Sequence, residues 1–337
     1  MHRLKEKGGN KIATQAIIFR DGKVLCGLRN YTKDKYKVIS VWTCPGGRCD
    51  DGETIEQALQ RETEEEVGLN DLKIEKFLGE VSGVYKDDKV LVYRCSSNQE
   101  PRLMEPEKFT EWKWFNPEEI PENYINEEVK RLIKLENMIT LAISRMSSAY
   151  TSYLLWKWIE SARNTNEAGV ERADHFVSVI SKYGFVFNSI LRGCFYVFVI
   201  DLCLFFDKQD PSLNLKKIIK LLEPSEEQLK EINEIIDSQQ TNIEYLKDIR
   251  DKTVAHLDLD VDRNGLNRII FKDTEELFDA VQKILNLVTK TFNRSSWLWD
   301  TVEDEARHKM SWLIENLERG EIKRLEAIWE KCYLNNK

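Results

Sequence analysis

The sequence has no CxxC pair, no cluster of histidines and no surplus of positive charge. Its seven cysteines are odd in number and scattered through 337 residues, a usage that fits reduced intracellular thiols better than a disulfide framework. Cys44 and Cys49 flank a glycine loop, but no histidine stands near them, which weakens a zinc reading. Lys and Arg total 50 against 58 Asp and Glu, a formal net charge of -8. No global positive field therefore draws nucleic acid or an anionic membrane to this chain, and any RNA contact must be local. The opening MHRLKEKGGNKIATQ lacks the apolar core of a signal peptide, so the expected compartment is the cytosol. Long uncharged apolar runs are lacking too. The nearest approach, GFVFNSILRGCFYVFVIDLCLFF at residues 184–206, contains Asn188, Arg192 and Asp201 and is interrupted by Gly193. It reads as the buried core helix of a bundle and not as a membrane span.

What is present divides near residue 140. Up to about residue 116 the pattern is strand-like. ATQAIIF and KVLCGLR flank Asp21-Gly22, the dipeptide expected of a tight hairpin, and KFLGEVSGVY, KVLVYRC and FTEWKWF follow. Pro117 and Pro121 close this part, and NEEVKRLIKLENMITLAISRM reads as a helix. From there the period is helical almost throughout, with few prolines or glycines and no repeat. The expectation is an α/β domain over 1–140 followed by an α-helical domain over 141–337.

The stretch RETEEEVGL, residues 61–69, loads negative charge onto a segment that must bury one side of itself. On a helix from Thr54 to Val67, Ile55, Ala58, Leu59, Thr63 and Val67 share one apolar arc. Glu62 and Glu66 fall inside that arc, Glu65 at its edge and Glu64 opposite. Carboxylates three and four residues apart repel, and partial burial makes each charge costlier. Something positive must offset them. Thr54 and Gln57 have the spacing of a capping box, and Gly68 is placed to end the helix. Ahead of it, the glycine loop lets backbone approach a ligand closely. The loop and the carboxylates of Glu62, Glu65 and Glu66 are expected to converge on one site. Clustered carboxylates without imidazole or thiolate suit a hard cation, Mg²⁺ or Mn²⁺, which binds phosphate oxygens at the same time. That predicts metal-assisted attack of water on a phosphoanhydride.

From Gly47 the order is glycine, five residues, Glu53, seven residues, Arg61-Glu62, Thr63, one residue, Glu65-Glu66, one residue, Gly68 and Leu69. Position by position this resembles the signature of the Nudix hydrolases, with Thr63 a departure at an aliphatic position. The preceding VWTCPGG and the strand pattern are similar to Nudix as well. The resemblance implies a mixed β-sheet sandwiched by helices. It implies that Glu62, Glu65 and Glu66 are catalytic metal ligands, that Gly46 and Gly47 line the cofactor with the Gly46 carbonyl close to the metal, and that Glu53 and Arg61 pair to hold loop against helix. EPEKFTEWKWFNPEEIP, residues 105–121, resembles the MutT-like nucleoside triphosphate pyrophosphohydrolases, which makes Glu105 or Glu107 a candidate further ligand or base. An exposed acidic loop is the plain alternative for either. The proline that ADP-ribose hydrolases tend to carry beyond the motif is missing, while Tyr85 leaves the dinucleoside polyphosphate class open. The implied reaction is Mg²⁺-dependent cleavage of a nucleoside triphosphate to monophosphate and pyrophosphate, with the base unspecified.

In LKDIRDKTVAHLD, residues 246–258, Arg250 is followed six places on by His256. This resembles the ribonuclease motif of HEPN domains, helical bundles that usually dimerise. ILRGCFYVFVIDLCLFFDKQDPSLNLKKIIKLLE is similar to the central helices of HEPN proteins linked to abortive phage infection, over roughly residues 145–292. The resemblance implies an all-α bundle, a homodimer or higher homo-oligomer formed through it, and a role in antiviral defence. It also implies metal-free RNA cleavage in which Arg250 holds a phosphate and His256 acts on the 2′-hydroxyl or the leaving oxygen. The residues themselves leave a structural histidine open, and Asp251, Asp258, Asp260 and Asp262 oppose a polyanion. A nucleotide is accordingly the favoured partner, and RNA the second. DVDRNG, residues 260–265, starts like a calcium loop but has Phe271 where the twelfth position needs a bidentate glutamate. The tryptophans of SSWLWDTVEDEARHKMSWLIENL read as core or interface residues. His2, His175 and His308 have no partner identifiable from sequence.

Overall fold

The structure, a computed structural model, describes residues 3–30, 39–83, 87–163, 166, 169–207, 213–255, 271–293 and 300–334. They form two compact units. The first comprises Met1–Thr140 with two later segments, Lys217–Pro224 and Leu287–Ser295; the second comprises Leu141–Lys216, Ser225–Asn286 and Ser296–Lys337.

In the first unit β1 (Ile12–Arg20) and β2 (Lys23–Arg29) make a hairpin. Asp21 and Gly22 both have positive φ, 50° and 74°, as a two-residue turn of the primed type requires. With β3 (Val41–Thr43), β4 (Lys73–Ser82), β5 (Lys89–Ser96) and β6 (Phe109–Phe115) they build a mixed six-stranded sheet. β1 runs parallel to β5, from Ile12 opposite Lys89 to Ile18 opposite Cys95. β4 pairs antiparallel with β5, and β3 and β6 antiparallel with β2. Both faces of the sheet are covered, which is why β1 is a near-continuous apolar run. On one face Ala16, Ile18, Leu25 and Leu91 pack against Ile55, Leu59 and Val67 of α1 (Ile55–Val67). On the other, Ile17, Phe19, Val24 and Val92 pack against Val129, Leu132 and Ile133 of α2 (Glu127–Arg163). The alternation of β1 residues between these cores follows from the strand's period of two. Glu136 of α2 is fully buried and accepts Arg94 Nη1 at 2.8 Å and Lys76 Nζ at 2.7 Å, so its charge is paired on β4 and β5.

No proline or glycine follows Asn126 until after Arg163, and α2 accordingly runs well beyond the helix read at its start. The chain is helical from there: α3 (Val170–Ser181), α4 (Gly184–Leu204), α5 (Leu215–Leu222), α6 (Glu226–Ser238), α7 (Gln240–Ile249), α8 (Phe271–Asn293) and α9 (Asp300–Leu334). In the second unit Tyr153 packs 5.5 Å from Phe198 and 5.1 Å from Phe278, ring centre to ring centre. α4 corrects an expectation. Phe187, Leu191, Phe198, Val199 and Leu202 are buried, but Val186, Ile190, Val197 and Ile200 are exposed and Phe185 is 89% exposed. The helix carries apolar residues on both sides, while the described residues of its bundle cover one side only.

Candidate active site

Leaving β3, the chain turns back along β1. Ala16 N–H donates to Pro45 O and Thr14 N–H to Gly47 O, both at 2.8 Å, and Cys49 N–H donates to Ile12 O at 3.0 Å. Side chains have no room in this turn. Gly46 has φ 149°, and a Cβ there would lie 2.1 Å from the Thr14 carbonyl oxygen. A Cβ on Gly47 would lie 2.3 Å from the Glu62 carboxyl carbon. The close approach accounts for glycine at both positions. α1 then begins at Thr54. The Thr54 hydroxyl accepts the Gln57 N–H while the Gln57 side chain accepts the Thr54 N–H, and Gly68 ends the helix at φ 73°.

Arg61 is the positive group the acidic face requires. Its guanidinium forks onto Glu53, Nε to Oε1 and Nη2 to Oε2, both at 2.9 Å. It also donates to Glu62 Oε1 at 2.9 Å, Glu65 Oε2 at 3.1 Å and the Arg48 carbonyl at 3.1 Å. Loop and helix are thereby tied together, and Arg61 holds the Glu53 carboxyl below its ordinary range.

Glu66 is only 3% exposed, and its Oε2 accepts the Gly46 N–H at 3.0 Å. Burial pushes its carboxyl up to about 8; the Gly46 N–H and Arg29 oppose the shift, and Glu62 and Glu105 add to it. Burial also raises Glu62, against Arg61. The segment after β5 runs beside the end of α1, with Arg102 N–H donating to Val67 O at 2.9 Å and Met104 N–H to Glu66 O at 3.4 Å. This carries Glu105 to the cluster. Glu105 Oε1 accepts Lys108 Nζ at 2.6 Å, while its Oε2 is buried with no hydrogen-bond partner. Glu107 is exposed, so of the two acidic candidates the structure brings Glu105 in. Glu65 departs from the expected convergence: it is 53% exposed and paired with Arg61, which draws it along the outer side of the helix.

Among the described residues, no three Asp, Glu, His or Cys side chains stand close enough together to hold a cation as they are. The donor set nonetheless fits a hard one. It is all oxygen, burial raises two of its carboxyls against the cations beside them, and one buried oxygen of Glu105 is unpartnered. Cys44 and Cys49 are buried, and burial pushes the Cys49 thiol to about 11, which works against a thiolate ligand. Two cations beside the carboxylates were not foreseen from the sequence. Arg29, opposite Phe109 in the β2–β6 pairing, lies over that ring at 5.7 Å and acts on Glu66; Lys108 acts on Glu66 and Glu62. Only the strand pairing brings them there, and a single sequence does not show it.

In the second unit Arg250 opens a π-helical turn, Arg250–Ala255, a feature frequent at functional sites. Its Nη1 donates to Asp207 Oδ2 at 2.7 Å and its Nε to Asp251 Oδ1 at 2.9 Å. His256 lies outside the described residues, as do His2, Tyr85, Asp258 and the DVDRNG stretch. His175 Nε2 meets Glu318 Oε1 at 2.7 Å, and His308 meets the half-exposed Trp312 edge-on.

Two families match successive stretches of the chain: the NUDIX domain over residues 9–135 and the AbiU2 HEPN family over residues 134–311, the latter more than half of the chain. The chain belongs to the AbiU2 HEPN family and carries a Nudix hydrolase domain. The HEPN match extends beyond the stretch in which the resemblance was read. The Nudix domain is similar to nucleoside triphosphatase NudI of Escherichia coli O139:H28, 27% identical over 136 residues spanning 36% of this chain and 94% of that protein. NudI of Shigella flexneri matches with the same values. Among solved structures, the MutT NUDIX hydrolase from Burkholderia pseudomallei is 25% identical over 36% of this chain and 95% of that one, with a TM-score of 0.30.

Proposed function

We propose that the Nudix domain is a Mg²⁺-dependent pyrophosphohydrolase that cleaves a nucleoside triphosphate to the nucleoside monophosphate and pyrophosphate. The observation that carries this reading is the buried Glu66, held on the Gly46 N–H of a glycine turn with Glu62 and Glu105 beside it. Glu62 and Glu66 would hold Mg²⁺ or Mn²⁺, with the Gly46 carbonyl beside them and Glu65 at the edge. When bound, the ion supplies charge neutralisation to phosphate oxygens and lowers the pKa of water. The protein's own groups do the rest. Gly46 and Gly47 let the turn close on β1 and the Glu62 carboxyl, Arg61 and Glu53 hold the turn on α1, and Arg29 and Lys108 are the cations available to a polyphosphate. Glu105 is the candidate base. That NudI is a nucleoside triphosphatase favours triphosphates over ADP-ribose and dinucleoside polyphosphates. We place the enzyme in the cytosol, divide its domains near residue 140, and assign the helical domain to pairing copies of the chain in a phage-defence role.

The test is a panel of canonical, deaminated and oxidised triphosphates, ADP-ribose and dinucleoside polyphosphates, incubated with Mg²⁺ and resolved by chromatography. Selective release of one monophosphate with pyrophosphate, lost in Glu66→Gln, supports the reading; no conversion by folded protein overturns it. A ribonuclease is the second reading, favoured by the AbiU2 match and by Arg250 at a π-helical turn. It predicts metal-independent RNA cleavage lost in His256→Ala and kept in Glu66→Gln. Asp207 and Asp251 already occupy Arg250, which is why the nucleotide reading leads.

A further inference from the structure

In the proposed reaction Glu105 takes a proton from water, yet neither of its oxygens is open to do so in this structure. Oε1 accepts Lys108 Nζ at 2.6 Å, while Oε2 is shut away from solvent and has no hydrogen-bond partner. The two oxygens of a carboxylate are equivalent, so a flip about the last torsion exchanges them and opens neither. The backbone is pinned on both sides of the residue. Met104 N–H donates to Glu66 O at 3.4 Å, Lys108 N–H and Phe109 N–H donate to Glu105 O at 3.0 and 2.9 Å, and Asn30 N–H donates to Lys108 O at 2.8 Å. What can move is the Lys108 side chain, 42% exposed on a flexible four-carbon stem.

We infer that Lys108 is a substrate-operated cover on Glu105: a bound polyphosphate draws the ammonium onto its own oxygens and so uncovers Oε1 for the attacking water. The inference rests on the pyrophosphohydrolase reading and adds a step to it. A partly exposed ion pair between residues three apart is weak, so breaking it costs little. Phosphate in turn offers the same ammonium charge-assisted hydrogen bonds to several oxygens. Lys108 is also in range, for it acts on both Glu62 and Glu66, the carboxyls assigned to the cation. The Glu105 hydrogen bond outweighs burial and, with the charges of Glu66 and Glu62, holds the ammonium above its ordinary range. It is therefore a cation whichever anion it meets. Once uncovered, Oε1 takes the proton of a water whose oxygen bonds to the attacked phosphorus, and the electron pair of the broken anhydride bond leaves with the departing phosphate group.

Such an exchange ties the base to occupancy of the site. Without a polyphosphate Glu105 stays covered, and a ligand whose phosphates stop short of Lys108 binds without uncovering it. The selection is made on the phosphate chain and not on the nucleobase. Arg29 differs in this respect. It acts on Glu66 from over the Phe109 ring, and among the described residues it forms no ion pair with Glu105.

The test is a cycle of Lys108→Met, Glu105→Gln and the double variant in the full chain, with urea midpoints as the check on folding. With Mg²⁺ and the triphosphate that the panel identifies, Lys108→Met should raise KM at least about tenfold, the weight of one hydrogen bond to a charged group. The loss should fall on KM and not on kcat, and Lys108→Arg should recover most of it. Glu105→Gln should lose turnover yet bind the triphosphate several-fold tighter in calorimetry, because Lys108 is then already released. That gain should shrink in the Lys108→Met background. A Lys108→Met variant with lowered kcat at unchanged KM makes Lys108 a prop for Glu105 and overturns the exchange. A gain from Glu105→Gln that is as large without Lys108 is plain relief of charge repulsion and overturns it too. Should a variant misfold, the Glu105 ¹³Cδ resonance of the wild type gives a second readout. It should move on adding inorganic tripolyphosphate beyond the shift that Mg²⁺ alone causes, and an unmoved resonance overturns the proposal. If the wild type converts no triphosphate, the pyrophosphohydrolase reading fails separately, and the same cycle read as binding of tripolyphosphate with Mg²⁺ decides whether a polyphosphate draws Lys108 off Glu105.

Discussion

At the scale of single residues, the candidate site holds its charges at a cost to the fold. Burial moves the Glu66 carboxyl from 4.5 to about 8. Between those values the folded chain keeps a proton that the unfolded chain releases, so this group's effect on stability is most favourable below 4.5 and declines as pH rises towards 8. Glu66→Gln removes the titration. In EDTA at pH 8 the variant is expected to melt above the wild type, each kcal/mol being worth about 3–4 °C in a unit of this size, and to lose all turnover. Mg²⁺ should raise the wild-type melting temperature and leave the variant's unchanged. A variant that melts lower in EDTA would mean that the Gly46 hydrogen bond outweighs burial. Arg61 works in the opposite sense. It depresses Glu53, so the stabilisation from that pair is present above the ordinary carboxylate pKa and is lost as pH falls through the depressed value. Arg61→Lys keeps the charge but loses the fork. It should lower stability at pH 7 by about 1.5–3 kcal/mol and by progressively less as pH falls through the depressed Glu53 value, as read from urea midpoints over an acid pH series.

At the scale of elements, the two glycines of the turn separate folding from chemistry. A side chain on Gly46 meets backbone, at a φ that side chains rarely adopt, whereas one on Gly47 meets only the flexible end of Glu62. Gly46→Ala should therefore destabilise the unit by about 1–3 kcal/mol. Gly47→Ala should fold with a near-native urea midpoint and turn over poorly, because Glu62 is pushed off its position. Equal loss of stability in both would show that the turn cannot yield to either. These elements were legible in the sequence because their causes are local. Asp21-Gly22 dictates its own dihedrals, Thr54 and Gln57 cap each other three residues apart, and Arg61 reaches Glu53 and Glu62 from the same turn and helix. Glu65 stands at the edge of the arc, as its helical position dictates, and there Arg61 holds it. Arg29, Lys108 and the choice of Glu105 over Glu107 needed the pairing of β2 with β6 and the path of residues 102–105 along α1.

At the scale of the whole molecule, periodicity shows the change from strands to helices but not which later segments return to the first unit. α4 is the example in the second unit, where a helix with apolar residues on both sides looks the same in sequence whether it is covered on one side or on both. In the first unit, Arg131 Nη1 donates to the Leu221 carbonyl at 2.6 Å, and Phe292 packs on the core that holds Trp42, Val129 and Ile133. Both partners lie far along the chain, in segments whose amphipathic pattern says only that each must bury a face somewhere. A fragment of residues 1–140 keeps every residue assigned to the Nudix site and loses these two supports. It should retain kcat within a few-fold at low temperature and unfold at lower urea than the same unit in the full chain. Phe292→Ala in the full chain should show part of that loss, about 1–2 kcal/mol for a ring only partly buried. A fragment as stable as the intact unit would make the returning segments incidental to it. A fragment that folds but does not turn over would instead give them a part in the chemistry, which no side chain in 217–224 or 287–293 is placed to play among the site residues described.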